Sequence, residues 1–168
     1  EMLKSYEGTH SFEITVTDDN GGKSVATLSI KYGQGVAPVP SIVWDGYNID
    51  EQQTYVAGMT CNLNVTAPLG IADFKVKIIS ATLTPEELAG VGLAGEFSLV
   101  NDSQYFGSLT SLGFPVGEEV AGQTELQLSI TDFLGVLNML GAGEHSFEMT
   151  VTDTRGNATT KTVMLLFE

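Results

Sequence analysis

The sequence predicts an all-β protein, an antiparallel β-sandwich with one or two short helical connections. Short apolar runs alternate with polar residues at a period of two, which is the pattern of strands buried on one face. Turn signals separate these runs, and the 168 residues include 19 glycines. One apparent hairpin occurs twice, 135 residues apart and without a gap. A repeat of this kind indicates tandem modules.

The first copy of the hairpin occupies residues 8–32, and Asn20-Gly21-Gly22 supplies the residues that a tight turn requires. A two-stranded hairpin is marginally stable by itself. We therefore predict that residues 1–33 are the C-terminal hairpin of a preceding, truncated module. Residues 38–168 or another copy of the chain are expected to cover its apolar face, and the second case is self-association through the hairpin.

Residues 38–168, after a Gly/Pro-rich connection, are predicted to form one complete module. Its strands are expected at residues 41–44, 58–66, 74–78, 97–100 and 124–130, followed by the second copy of the hairpin at residues 143–167. Thr84 is placed to cap a short helix, because Pro85 suits the first helical position and Glu87 completes a capping box.

Two further helical segments are expected. Residues 102–112 allow one helical turn between glycines. Apolar residues from Ile130 to Leu140 fall on one helical face, which predicts a helix at about residues 132–140 with Thr131 or Asp132 as its cap. The stretch from residue 114 to 123 is predicted to be loop.

The charge of the chain restricts its partners. It has 7 Lys+Arg against 21 Asp+Glu, a formal net charge of −14. Nucleic acid and anionic membrane surfaces are therefore not expected as partners, because both are bound through basic patches. No segment approaches the ~20 apolar residues of a membrane-spanning helix.

The sequence contains no recognisable catalytic arrangement, so we predict a protein that is not an enzyme and uses no cofactor. Glu86-Glu87 and Glu118-Glu119 are carboxylate pairs, but sequence neighbours do not face each other across a substrate. No Ser/His/Asp pattern or phosphate-binding glycine loop is present. Cys61 shares strand parity with apolar neighbours, which predicts a buried, unreactive thiol.

Two residue types raise the question of a metal site. His10 and His145 occupy equivalent repeat positions, and with no adjacent ligand pattern each is expected to be a structural residue bonded to backbone. Asp18-Asp19-Asn20 offers oxygen ligands for calcium. The second copy has Arg155 in the aligned segment, however, and Asx-turn chemistry explains both segments without a metal.

The aromatic residues give the strongest candidate binding site. Trp44 and Tyr47 lie beside an acidic loop, and Tyr105 lies in another loop. Aromatic faces with neighbouring Asp and Asn side chains are able to stack on sugars and bond their hydroxyls. The alternative is that Trp44 and one tyrosine fill the end of the sandwich.

The residues also resemble a family. Phe147-x-Met149-x-Val151-Thr152-Asp153-x-x-Gly156-Asn157 resembles the closing hairpin of immunoglobulin-like modules of the PKD and cadherin-like type. A longer pattern is similar to tandem Ig-like modules in surface lipoproteins of gut-dwelling bacteria, often labelled adhesins. It comprises Leu83-Thr84-Pro85-Glu86-Glu87-Leu88, Phe97-Ser98-Leu99-Val100-Asn101, Leu112-Gly113-Phe114-Pro115 and Gly143-x-His145-x-Phe147.

The resemblance implies an Ig-like sandwich, export, and display on the bacterial cell surface through a lipid anchor in an upstream segment. It carries no defined site residues to this chain. The expected function is non-catalytic, either cell adhesion to host or microbial glycans or surface proteins, or a structural spacer. The alternative is a carbohydrate-binding module that uses Trp44, Tyr47 and Tyr105.

Overall fold

The computed structural model describes residues 8–32, 38–80, 82–139 and 142–168. The chain divides into two compact units, Glu1–Pro38 and Val39–Glu168. The division lies in the Gly/Pro-rich connection. The assignment of residues 1–33 to a truncated module and of residues 38–168 to a complete one stays a prediction.

The described part of the first unit is one hairpin, in which β1 (Gly8–Thr17) pairs antiparallel with β2 (Lys23–Tyr32). The register places Phe12 opposite Leu28 and Ile14 opposite Ala26, so most apolar side chains of both strands lie on one face, whereas Val25 lies on the other, opposite Thr15. Phe12 and Ile14 are 45% and 52% exposed. The hairpin predicted from the repeat is therefore present, with an open apolar face.

The described part of the second unit contains two sheets. Their strands are β3 (Ser41–Trp44), β4 (Gln53–Thr54), β5 (Asn62–Thr66), β6 (Ile71–Ser80), β7 (Glu96–Ser98), β8 (Glu125–Ser129), β9 (Gly143–Asp153) and β10 (Ala158–Phe167). The order is β4-β10-β9-β6-β7 in one sheet and β3-β5-β8 in the other. Neighbouring strands are antiparallel except β4 and β10, which are parallel.

The inward faces of the two sheets share one apolar core. Phe74 and Met149 of the five-stranded sheet, and Leu63 and Leu128 of the three-stranded sheet, are all buried, whereas Lys75 is exposed. Successive side chains of a strand point to opposite faces, so the alternation in the sequence produces this arrangement. The structure agrees with the all-β sandwich that the sequence predicts.

Strand ends depart from the prediction by a few residues. The strand predicted from residue 58 begins at Asn62, although Met59 and Cys61 are buried as expected. The short strand predicted at residues 97–100 is β7, which ends at Ser98. The N–H of Leu99 still donates to the carbonyl of Phe74 in β6 at 2.8 Å, and the chain then turns away as the N–H of Asn101 donates to Oγ of Ser98.

The first helix has the predicted capping box. In α1 (Pro85–Gly90), the N–H of Glu87 donates to Oγ1 of Thr84 at 3.3 Å, and the N–H of Thr84 donates to Oε2 of Glu87 at 2.7 Å. The two bonds satisfy amides at the helix start that have no intrahelical acceptor. The local sequence is sufficient to place this helix end.

The middle of the chain contains the predicted helical turn and one more. A 3-10 turn at Ser103–Tyr105 leads into α2 (Phe106–Ser111), within the segment expected to be helical. Gly117–Glu119 forms a second 3-10 turn inside the stretch predicted to be loop. Its backbone is held because the N–H of Gly117 donates to the carbonyl of Leu99 at 2.7 Å.

The last helix, α3 (Thr131–Met139), packs its apolar face on the core through residues that include Phe133. Thr131 is the first residue of the helix rather than its cap. Its Oγ1 accepts a hydrogen bond from the N–H of Cys61 at 2.9 Å, which ties the helix start to the chain before β5. The predicted apolar position at Leu140 lies outside the described residues.

Candidate functional site

The Asp residues at the two hairpin turns act as turn-forming groups. In the first copy, Oδ1 of Asp18 accepts hydrogen bonds from the N–H groups of Asn20 and Gly22, at 2.9 and 2.7 Å. This is Asx-turn geometry, in which a side-chain oxygen takes the place of a backbone acceptor. The carboxylate proposed as a calcium ligand is thus already used by the turn, as the alternative interpretation predicts.

Asp153 makes the same bonds in the second copy, and it is buried. Its Oδ1 accepts from the N–H groups of Arg155 and Asn157, both at 2.9 Å, and its Oδ2 accepts from Nδ2 of Asn157 at 2.8 Å. Burial by itself raises the pKa of Asp153. The hydrogen bonds from Asn157, Arg155 and Gly156 outweigh burial and leave the pKa below its ordinary value of 3.8. Asp153 is a structural carboxylate that is held ionised.

His145 is buried and pairs with a serine across the sheet. Its Nδ1 lies 2.9 Å from Oγ of Ser80, in the strand beside it. Oγ of Ser80 also accepts from the N–H groups of Thr82 and Leu83, at 3.1 and 2.9 Å. The hydroxyl of Ser80 therefore joins the chain after β6 to the ring of His145. His145 is a buried, hydrogen-bonded residue, in agreement with a structural role. The predicted partner was wrong, because it is the side chain of Ser80 and not a backbone group.

This Ser–His pair has the wrong geometry for nucleophilic catalysis. A catalytic serine donates to a histidine that passes the proton on, and both face a substrate. The imidazole of His145 is buried, and its ring lies edge-on to Phe167 at 5.2 Å between centroids. Burial lowers the pKa of His145 below its ordinary value of 6.5. Ser80 holds the turn after β6, and the buried imidazole of His145 has no open face for a substrate.

Cys61 and the carboxylate pairs likewise have structural surroundings. Cys61 is buried, and burial raises the pKa of its thiol to about 12, so the reactive thiolate is not formed near neutral pH. Glu87 belongs to the capping box of α1. Oε2 of Glu119 accepts from the N–H of Val116 at 3.4 Å. One carboxylate of each pair is therefore engaged at the start of its own helix.

The structure brings two of the three aromatic candidates together, Trp44 and Tyr47, and leaves Tyr105 apart from them. Trp44 is only 1% exposed, and its ring packs on Tyr47 with 4.7 Å between centroids. The indole ring is part of the core and offers no open face, whereas Tyr47 is half-buried. Tyr105 is also half-buried, in the 3-10 turn after β7. In the described chain, no ring contact joins Tyr105 to Trp44 or Tyr47.

The chain path indicates that Trp44 and Tyr105 lie toward opposite ends of the sandwich, because β5 runs from the end near Trp44 to the turn before β6. Trp44 is opposite Leu63, at the end of the sheet where β5 begins. Tyr105 follows β7, which is antiparallel to β6. The last residue of β7, Ser98, pairs with Lys75, so the chain leaves β7 near the start of β6. One ligand is therefore not contacted by all three residues.

Two open surface depressions over the paired strands β5 and β8 share Asn64 and Gln127, and the sequence did not reveal this polar groove. Asn62, Asn64, Gln127 and Ser129 line it on the outer face of the three-stranded sheet, with Asp45 at one end. All are exposed, and the register places Asn64 opposite Gln127 and Asn62 opposite Ser129. The alternation of polar residues gave the outward direction of each side chain. It did not show that these two strands are neighbours.

Among the described residues, no cluster of three or more His, Cys, Asp or Glu side chains is arranged to hold a metal ion. None of the described helices has the length and apolarity needed to cross a membrane. The fold and its sites define a β-rich protein with a closed apolar core and open polar surfaces. Comparison of the chain with protein-family models and with curated proteins found no match.

Proposed function

We propose that this chain is a non-catalytic, immunoglobulin-like portion of a bacterial surface protein, which acts in cell adhesion or as a structural spacer. The repeat of the closing hairpin carries the proposal. The two copies pair in the same register, from Gly8 with Tyr32 to Thr17 with Lys23 and from Gly143 with Phe167 to Thr152 with Ala158. Repeats of one structural unit build extended arrays that offer large binding surfaces.

The strand order of the second unit supports the Ig-like part of the proposal. In the Ig fold, strands A, B and E share one sheet and strands C, F and G share the other. The order β3-β5-β8 matches the order A-B-E, and the order β6-β9-β10 matches C-F-G, which supports an Ig-like arrangement. β7 extends the second sheet beside β6, where a C′ strand lies in variable-type domains.

The chemistry of the titratable groups supports the non-catalytic part. Three residues with catalytic potential have structural surroundings, because His145 and Cys61 are buried and Asp153 holds a turn. The net charge of −14 favours solubility and neutral or basic partners over polyanions. Export, surface display and lipid anchoring rest on the family resemblance alone.

A binding screen tests the proposal. The purified chain is applied to an array of plant, microbial and host glycans together with host matrix proteins. Adhesion predicts a reproducible hit on a surface protein or glycan, and a spacer predicts none. Hydrolysis of an arrayed glycan that is lost on substitution of one carboxylate would overturn the non-catalytic proposal.

Carbohydrate binding is the second candidate, and the groove between β5 and β8 favours it. Amide side chains both donate and accept, as sugar hydroxyls require, and Asn64 and Gln127 lie directly opposite each other. A glycan hit that is lost in Asn64→Ala together with Gln127→Ala would locate the site in the groove. Loss in Tyr47→Ala or Tyr105→Ala would instead locate it at one of the two ends of the sandwich.

A further inference from the structure

The two hairpin copies differ in what covers them. In the second copy, Phe147 and Met149 are 3% and 1% exposed, because the opposite sheet and α3 pack on their face. The equivalent residues of the first copy are Phe12 and Ile14, and about half of each side chain is exposed. The same sequence pattern in the same register is therefore buried in one copy and open in the other.

The copies differ at the strand edge as well. β9 pairs on one side with β10 and on the other with β6, over the length from Ile71 to Ser80. In the described part of the chain, the equivalent strand β1 pairs with β2 alone. A strand with one unpaired edge presents a row of backbone donors and acceptors that another strand is able to join.

We propose that the edge of β1 opposite β2, which pairs with no strand of the described residues, and the apolar face beside it form a strand-acceptor site, whose ligand is an extended strand of the β6 type. The inference rests on the proposed modular function and names the chemistry of the partner that completes the first unit. That partner has apolar side chains at alternate positions and a basic side chain between them. The residues of β6 itself show this pattern in Phe74-Lys75-Val76-Lys77-Ile78.

The register of β6 on β9 gives the expected register on β1. Phe74, Val76 and Ile78 lie opposite Val151, Met149 and Phe147. The equivalent β1 positions are occupied by Val16, Ile14 and Phe12, which are apolar and exposed. An incoming strand in this register therefore adds backbone hydrogen bonds, and its apolar side chains continue the open face.

Charge complementarity selects the same ligand. In the second unit, Lys77 of β6 lies opposite Glu148 of β9. Glu13 is the equivalent residue of β1. Opposite charges on directly paired residues stabilise a sheet, whereas like charges destabilise it. A strand with Lys at this position is thus favoured over one with Asp or Glu there.

Disulfide capture on the full chain tests the site and its register. The Glu13→Cys variant is mixed with a synthetic peptide of residues 71–80 that carries Lys77→Cys, under mild oxidation. Directly opposed residues of antiparallel strands are close enough for a disulfide. We expect capture at least about ten times faster than with a peptide that carries Lys75→Cys, which is two residues out of register. The buried Cys61 does not interfere.

The repeat supplies a matched control. The Glu148→Cys variant presents the same local sequence pattern, but its edge is already occupied by β6, so it is expected to capture the peptide slowly. A second variant adds Ile14→Asp to Glu13→Cys. Ile14 is exposed, so this change removes no core contact. Capture is expected to slow by about tenfold or more, because the charged side chain replaces apolar surface that the peptide would bury.

Three results would overturn the strand-acceptor proposal. They are equal capture of both peptides, capture that is unaffected by Ile14→Asp, and faster formation of chain-to-chain disulfides, which would assign the face to a second copy. The binding screen uses the unmodified chain and does not depend on these reactions. Failure of the acceptor site and failure of the proposed function are therefore distinguishable.

Discussion

Asp18 and Asp153 lie at equivalent positions of the two hairpins and make the same two turn bonds. In each, Oδ1 accepts from the backbone amides two and four residues later, at distances between 2.7 and 2.9 Å. They differ in burial, because Asp18 is exposed and Asp153 is in the core of the second unit. The repeat thus provides the same interaction in two environments. A comparison of the two shows how much burial adds to the contribution of this turn to stability.

We expect Asp153→Ala to destabilise the second unit more than Asp18→Ala destabilises the hairpin. Two turn amides lose their acceptor in either variant, but removal of the buried Asp153 side chain also leaves a gap in the packed fold, which adds to the cost. Thermal unfolding of both variants checks this. Asp153→Asn keeps one acceptor oxygen and should lie between Asp153→Ala and the wild type. Equal Tm values for wild type and Asp153→Ala would contradict the structural role.

Stability should fall in mild acid because of His145. Burial lowers the pKa of the folded-state imidazole below 6.5, so the unfolded state binds the proton more readily. The stability contributed by the neutral ring is complete above about pH 6.5 and is lost as the pH falls from there through the folded-state pKa. The slope is at most about 1.4 kcal/mol per pH unit for one proton.

Urea unfolding between pH 8 and pH 5 measures this slope, with His145→Gln as the variant that cannot titrate. The wild type should lose stability faster than the variant below pH 6.5. Parallel pH profiles for the two proteins would show that His145 is not responsible for the loss.

Trp44→Ala should lower the free energy of unfolding by roughly 3–5 kcal/mol, the cost of removing a buried large aromatic side chain. The indole ring is 1% exposed and packs on Tyr47. Tyr47→Ala should cost less, on the order of 1 kcal/mol, because that ring is only half-buried. Chemical denaturation measures both. A Trp44→Ala protein with unchanged stability would restore Trp44 as a candidate binding residue.

Removal of residues 1–37 should leave the second unit folded. All described core residues lie between Ile42 and Phe167, so the deletion takes away none of them. The shortened chain should unfold cooperatively, at a Tm close to that of the second unit in the full chain. Near-UV circular dichroism, reported mainly by Trp44, gives an independent check. An unfolded product would show that the hairpin belongs to the same cooperative unit.

Local features of this protein were predictable from the sequence. The capping box of Thr84 and Glu87 and the turn at residues 18–22 depend on atoms within four residues of each other. The inward direction of Leu63 and the outward direction of Lys75 follow from strand alternation. These features are settled by short-range hydrogen bonds and by the period of the strand.

Contacts between distant segments were decided only by the tertiary structure. Ser80 as the partner of His145, and the groove formed by Asn64 and Gln127, depend on which strands become neighbours. The sequence pattern of an aromatic residue is the same in a core and on a surface, so it did not distinguish the buried Trp44 from an exposed sugar platform. Strand pairing and burial depend on contacts between residues far apart in the sequence. They are determined by the packing of the whole unit, and no local pattern specifies them.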